Sequence, residues 1–162
     1  MVIRDAASAD LASINAIYNH YVPRSTCTWD VDARSDDAAM RWLATHDATH
    51  PVTVATDEHG DVIAWGSLSP FRPRFGYRHT VEDTVYVRED QHGRGVGRAI
   101  LDDLVARARA RGHHAIIAVI SADQAASVRL HERAGFTRVA HLPQVGHKFD
   151  RWLDLTMLQL LL

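Results

Sequence analysis

The stretch from Glu82 to Arg111 constrains this chain more than any other. Thr84-Val85-Tyr86-Val87 reads as an apolar strand and Gln91-His92-Gly93-Arg94-Gly95-Val96-Gly97-Arg98 as a glycine-rich turn; a long amphipathic helix follows. Its stripe of Val96, Ile100, Leu101, Leu104, Val105 and Ala108 faces a core, with Asp102, Asp103, Arg107 and Arg109 opposite. Glycines in such a turn take positive φ and let the backbone approach a ligand closely. The free amides at a helix start, together with the helix dipole, favour an anion. A phosphate-bearing ligand is the first expectation.

The 162 residues match one domain, 1–162, large enough to bury a substantial core. Lys and Arg total 18 against 20 Asp and Glu, a net charge of −2, so composition recommends neither nucleic acid nor a membrane as partner and points to a small molecule. A single cysteine, Cys27, excludes an internal disulfide framework and suits a reducing compartment. No apolar run approaches a membrane span and Met1-Val2-Ile3-Arg4-Asp5 lacks the apolar core of a signal peptide, so a cytoplasmic location is expected.

In chain order, Val2 to Arg4 reads as a strand and Ser8 as the N-cap of a helix carrying Leu11, Ile14, Ile17 and Tyr18. Thr28-Trp29 is a candidate short strand, and Ser35 caps a second helix with Met40, Trp42 and Leu43. Val52–Thr56 and Val62–Leu68 are strands joined by a hairpin connection, and Pro70 to Tyr77 is a loop dense in arginine and aromatics. Thr80–Val87 is the strand before the glycine turn, and Ala115–Ile120 is apolar enough to be covered on both faces. Ala125–Ala134 is a short helix; Thr137–His141 and Trp152–Leu160 close the sheet. This order predicts an α/β (α+β) domain: a mixed, mostly antiparallel central sheet with helices on both faces.

The turn lacks the Gly-Lys-Ser/Thr of a nucleotide P-loop and comes too late in the chain for a dinucleotide-binding opening unit. Its flanks are more specific. Glu82 to Val87, Gln91 to Gly97, and Ser127-Val128-Arg129-Leu130-His131-Glu132-Arg133-Ala134-Gly135-Phe136 together resemble the GNAT N-acetyltransferase family. Asn19-His20-Tyr21, Ser25-Thr26, Arg74, Tyr77, Thr80-Val81-Glu82, and Gly146-His147-Lys148 with Trp152 resemble its phosphinothricin and methionine sulfone acetyltransferase branch, so the likeness spans nearly the whole chain. Two positions depart from the family pattern: His92 stands where arginine or glutamine is usual, and Gln124 where asparagine is usual. An altered rather than a lost cofactor affinity is expected.

The resemblance implies the GNAT fold, acetyl-CoA as co-substrate and no metal. It places the pyrophosphate on the turn (His92, Gly93, Arg94, Gly95, Val96, Gly97, Arg98) and the pantetheine along Val85, Tyr86 and Val87 like an added strand, with Gln124 and Ser127 beside it. Arg98 either adds charge at the phosphates or is a solvated first-turn residue. An α-amine has a pKa of about 8, so a nearby base helps it attack, and Glu82 is the implied base. His131 is implied as the acid for the leaving thiolate, with a structural histidine as the alternative. A strand amide near Val85 would polarise the thioester carbonyl. Arg72, Arg74 and Tyr77 read as a clamp for an acceptor's acidic group, with Phe71 and Phe75 lining an apolar pocket.

The function expected is acetyl transfer from acetyl-CoA to the amine of a small amino acid or analogue bearing an acidic group. A peptide N-terminus as acceptor, or a non-catalytic acyl-CoA-binding module, are the alternatives. His46 and His50 have helical i, i+4 spacing but lack a third metal ligand nearby in sequence. Cys27 is read as a small loop residue rather than an acyl carrier, and the apolar C-terminal strand as core or the interface of a homodimer.

Overall fold

The computed structural model describes residues 1–162. One seven-stranded sheet runs in the order β1-β2-β3-β4-β5-β7-β6. The strands are β1 (Val2–Asp5), β2 (Val52–Thr56), β3 (Val62–Pro70), β4 (Thr80–Val87), β5 (Ala115–Ser121), β6 (Thr137–Lys148) and β7 (Arg151–Leu161). The helices are α1 (Leu11–Tyr21), α2 (Asp36–Ala44), α3 (Val96–Ala110) and α4 (Ala125–Arg133). All neighbouring strands are antiparallel except β4 and β5. That single parallel pair is joined through α3, as a parallel connection requires. The mixed, mostly antiparallel sheet with helices on both faces agrees with the sequence reading. No helix is long and apolar enough to cross a membrane.

Each face of the sheet has its own apolar cluster. Ile100, Leu101 and Leu104 of α3 are fully buried against Leu68, Val81, Ile116 and Leu158. Opposite, Ile14 and Ile17 of α1 pack on Val54, Trp65 and Tyr86. Alternation along β4 divides its side chains: Val81, Val85 and Val87 join the α3 cluster, whereas Tyr86 joins the α1 cluster. At Gly66 a Cβ would lie 2.6 Å from Ile100 Cγ2 and 3.0 Å from the Thr84 carbonyl, so only glycine lets α3 sit this close to β3 and β4.

Several local expectations change. Ser8 does not cap α1. Ser8–Asp10 is a 3-10 turn, and the Asp10 carboxylate accepts the Ala7 N–H (2.8 Å) while pairing with Arg4 (2.6 Å). Ser35 does cap α2, accepting the Ala38 N–H. Thr28-Trp29 is not a strand, because the Thr28 hydroxyl turns back to Tyr18 (2.7 Å) and the Asp30 N–H (3.2 Å) instead of extending. β6 runs to Lys148 rather than His141: the register shifts between Leu142 and Gly146, Gln144 takes φ 53°, and pairing with β7 resumes. Phe149 and Asp150 then close the hairpin with φ of 52° and 55°, the two positive values of a type I′ turn.

Candidate active site

β4 and β5 pair only from Thr80 to Glu82, opposite Ala115 to Ile117. Beyond Glu82 they diverge, each still held on its far side, by β3 and by β7. The sheet is therefore split in its middle. The Arg88 N–H donates to Ile63 O and the Phe71 N–H to Thr80 O, so even-numbered residues of β4 turn their backbone groups toward β3. On the other edge the His114 N–H donates to His79 O (2.8 Å). Beyond that pairing the Asp83 C=O, both backbone groups of Val85 and the Val87 N–H face the gap, where an extended chain could add as a strand.

At the end of β4 the turn completes the cleft. Gly93 and Gly95 have φ of 74° and 81°, the region that side chains avoid, and Gly95 is the N-cap of α3. None of the amides of residues 93 to 98 donates to a carbonyl of the chain. A row of unpaired N–H groups at the start of a 15-residue helix is an anion cradle. The whole cleft has a volume of about 910 Å³ and reaches from the turn past Val85 to Glu82, with β5 and α4 as its other wall. Unpaired amides and an open strand edge fit a pyrophosphate joined to an extended amide-bearing arm.

Every residue expected at the cofactor lines this cleft except Arg94, whose side chain is exposed. His92 does not reach for an anion. Its Nε2 lies 2.8 Å from the Tyr21 hydroxyl and 3.2 Å from Val87 O, and its ring stacks on Tyr21 within 3°. Burial pushes the Tyr21 phenol up to about 12, so it stays protonated and donates to Val87 O (2.6 Å). His92 thus braces the turn against α1. Gln124 donates to Thr26 Oγ1 (2.7 Å), and Thr26 donates in turn to Asp123 (2.7 Å), tying the loop after α1 to the start of α4. Arg98 pairs with Asp102 (2.8 Å) and donates to Arg133 O (3.0 Å), so it fastens α3 to the end of α4 while lining the cleft.

Glu82 and His131 both line the cleft but on opposite faces of β4, since Glu82 shares the face of Tyr86 and His131 contacts the adjacent Asp83. Glu82 is half-buried, and burial, followed by the neighbouring Asp83 carboxylate, holds its carboxyl above the usual range; the charge of Arg72 opposes this. His131 is 4% exposed, with Nε2 at 2.9 Å from Asp83 Oδ2 and Nδ1 at 2.8 Å from Ser127 O. Burial alone would lower its pKa, but the hydrogen bonds to Asp83 and Ser127 and the charge of Asp83 outweigh it and raise it above the ordinary histidine value.

The expected acceptor loop is not part of the cleft. Arg72, Arg74 and Tyr77 are exposed and Phe71 is half-buried, packed edge-on against Tyr77 with the Arg72 guanidinium 4.8 Å over its ring. Phe71 thus packs on Tyr77 rather than on Phe75. The 3-10 turn Phe75–Tyr77 leaves Phe75 78% exposed, with Arg78 lying on its ring instead. His46 bonds the Trp42 carbonyl and Ser69, and His50 the Asp47 carboxylate, so the two rings do not converge. Cys27 lines the cleft with its side chain exposed, and the chain around it still pushes its thiol up by partial desolvation, away from the thiolate an acyl carrier needs.

Reading the residues one by one missed Asp83, Tyr21, Arg129 and Arg133 as parts of the cleft. Arg129 and Arg133 stand one turn apart on α4, and that i, i+4 basic pair was the available signal. Asp83 had none, because its role depends on a partner 48 residues away.

The sequence matches the family described as "Acetyltransferase (GNAT) domain" over residues 3–157. It is 46% identical over 159 residues to an L-methionine sulfoximine/L-methionine sulfone acetyltransferase of Pseudomonas aeruginosa, covering 98% of this chain and 92% of that protein. Among solved structures, a Sinorhizobium meliloti GNAT superfamily phosphinothricin acetyltransferase in complex with AcCoA superposes with a TM-score of 0.95 at 37% identity, covering 99% of this chain and 88% of that one. A Brucella melitensis protein named ribosomal-protein-alanine N-acetyltransferase superposes with a TM-score of 0.97 at 41% identity, covering 100% of both chains.

Proposed function

The chain belongs to the GNAT acetyltransferase family, and on that premise we propose that it transfers acetyl from acetyl-CoA to the α-amine of a small amino acid or analogue of the methionine sulfone, methionine sulfoximine or phosphinothricin type. The observation that carries this reading is the split in the sheet, which puts an open strand edge and a row of unpaired amides on one line with a half-buried carboxylate. The whole chain, 1–162, is taken as one catalytic unit.

Acetyl-CoA supplies a thioester carbonyl. The amides of residues 93 to 98 hold its pyrophosphate, the edge of Val85 and Val87 aligns its arm, and the Val85 N–H points into the gap where a carbonyl oxygen gathers charge. Glu82, with its carboxyl held above the usual range, takes a proton from the acceptor ammonium directly or through water. The freed amine forms the new C–N bond as the C–S bond breaks, and the surplus proton then carried by the nitrogen passes, directly or through water, to the departing thiolate. Both ring nitrogens of His131 are engaged, by Asp83 and by Ser127, so we assign it the positioning of α4 against β4. Protonation by His131 would first require Nε2–H to leave Asp83. Arg74 and Tyr77, with Arg72 whose charge is felt at Glu82, are assigned to the acceptor's carboxylate.

Two parts of this reading concern setting. A cytoplasmic location is supported by the lone cysteine and the absence of a long apolar helix. A homodimer is supported by β6: it is 12 residues long, forms an edge of the sheet, and carries exposed Val139, Val145 and, near it, Phe149 and Trp152. A long apolar edge left in water is prone to pairing, and a second copy would cover it.

The name of the Brucella protein favours a second reading, acetylation of a protein N-terminus. One measurement separates the readings: thiol release from acetyl-CoA with free amino acids, methionine sulfone, methionine sulfoximine, phosphinothricin and alanine-initiated peptides. Release is expected with the analogues and not with the peptides. Peptide turnover without amino-acid turnover would reverse the assignment, and no turnover with any amine would leave an acyl-CoA-binding module.

A further inference from the structure

Beyond Glu82 the two halves of the sheet share no ladder hydrogen bonds, yet one loop holds on to both. It comprises residues 25–29, a few positions after α1, and crosses the split on the α1 face. On the β4 side the Tyr86 hydroxyl donates to Cys27 O (3.1 Å), and the Thr28 hydroxyl bonds that of Tyr18 on α1 (2.7 Å). On the β5 side Thr26 donates to Asp123 (2.7 Å), which follows β5 and pairs with Arg151 of β7 (2.6 Å). Adjacent residues, 26 and 27, therefore grip opposite walls of the cleft. Ser25 and Cys27 also line it.

A further anchor is Lys148, the only lysine of the chain, at the end of β6. It is 3% exposed, and its Nζ donates to Ser25 O (2.8 Å) and Thr28 O (2.6 Å) rather than to a carboxylate. These two carbonyls accept from no other donor of the chain. A buried ammonium is costly unless acceptors meet it, and hydrogen bonds from a charged donor are stronger than neutral ones. Nearby the Trp29 ring lies on Gly146, where a Cβ would come within 2.5 Å of it, so glycine lets the loop close down on β6. Lys148 does not itself line the cleft, so it can influence the cleft only through this loop.

A chain that adds to β4 as a strand, with β5 and α4 as the other wall, needs the walls about 10 Å apart, two strand spacings. Past Glu82 the ladder between β4 and β5 does not fix that distance. We propose that residues 25–29 are a clasp that sets the width of the acetyl-CoA cleft, and that Lys148 is the positioning residue that keeps the clasp shut. The inference rests on the acetyl-CoA reading of the cleft and is independent of which amine is acetylated. With the clasp released the walls part, and acetyl-CoA binds only the fraction of molecules in which they are closed, so its affinity falls.

The test measures acetyl-CoA Kd by calorimetry, without acceptor, in the unaltered protein, Lys148→Met, Thr26→Val and Gly112→Ala. Circular dichroism and chemical denaturation report the folding of each. Lys148→Met keeps the apolar stem and removes the ammonium; Thr26→Val removes the hydroxyl that holds Asp123. Each should raise Kd by about fivefold or more, part of what one hydrogen bond from a charged group contributes. The acetyl-CoA KM should rise in parallel, with kcat at saturating acetyl-CoA within about twofold, because the bound arm itself spans both walls. Gly112→Ala strains the chain at the far end of α3 and should lose stability with Kd unchanged, which separates the clasp from stability alone. A smaller rise in folded Lys148→Met overturns the clasp and leaves the acetyltransferase reading intact. A rise in Thr26→Val alone assigns the loss to Gln124, which Thr26 also bonds, and likewise overturns it. Should Lys148→Met not fold, Gly146→Ala, which drives a methyl into Trp29 at the same anchor, decides by the same criterion. If acetyl-CoA binds but no amine is acetylated, the acetyltransferase reading falls and a fivefold rise in Lys148→Met still upholds the clasp. No acetyl-CoA binding at all overturns both.

Discussion

Glu82 and His131 show how one strand separates two kinds of ionisable group. Glu82 has no hydrogen-bonding partner in the chain that would hold its charge, so burial and the Asp83 carboxylate keep its carboxyl high. His131 has two acceptors, so burial loses and its pKa rises instead. The sign for catalysis follows from Glu82. A base held above the usual carboxylate range is protonated first as pH falls, so kcat at saturating acceptor should decline on its acid side at a higher pH than an ordinary glutamate would give. Glu82→Gln should lower kcat at pH 7 by about 100-fold, abolish that limb, and leave the acetyl-CoA KM within twofold. A variant with the original rate and pH profile would remove Glu82 as the base. The sequence singled out Glu82 because it lies on the strand that leads into the glycine turn and because the resemblance to the family's branch implies a base at this position. It left His131 open between acid and structural residue, because both roles use the same residue at the same place on a helix and differ only in what the ring nitrogens touch.

Between β4 and α3, cofactor recognition is a matter of backbone. The turn works only if its amides stay unpaired and converge, which requires positive φ at Gly93 and Gly95. A β-branched side chain at φ 81° is strained, so Gly95→Val should weaken acetyl-CoA binding at least tenfold as the turn rearranges. Gly112, with φ 75° at the far end of α3, provides the contrast: Gly112→Ala should cost about 1–2 kcal/mol of stability in chemical denaturation and leave acetyl-CoA affinity as it was. Equal losses of affinity in both variants would mean that Gly95 acts through stability alone. The glycine turn was legible from its spacing, because conformational freedom is a property of the residue type. The Phe149-Asp150 hairpin was not, since a type I′ turn usually announces itself with asparagine and glycine and here is imposed by the pairing of β6 with β7.

Across the whole molecule, the apolar edge at β6 and the exposed loop from Phe71 to Tyr77 are the surfaces that a single chain leaves in water. Light scattering after size exclusion should give twice the monomer mass, and Trp152→Arg, which puts a charge at a site 63% exposed in one chain, should move the population toward monomer with the fold retained. A monomer in the unaltered protein would leave that edge to be explained without a second copy. The sequence by itself determined the periodicities, the glycine turn, the strand leading into it, and through these the family and the kind of chemistry, because each is encoded within a few neighbouring residues. Only the tertiary structure decided that β4 and β5 part after Glu82, that Asp83 holds His131, and that His92 braces Tyr21. These depend on residues far apart in the chain, and such pairings are set by how the two faces of the sheet are packed rather than by any local pattern.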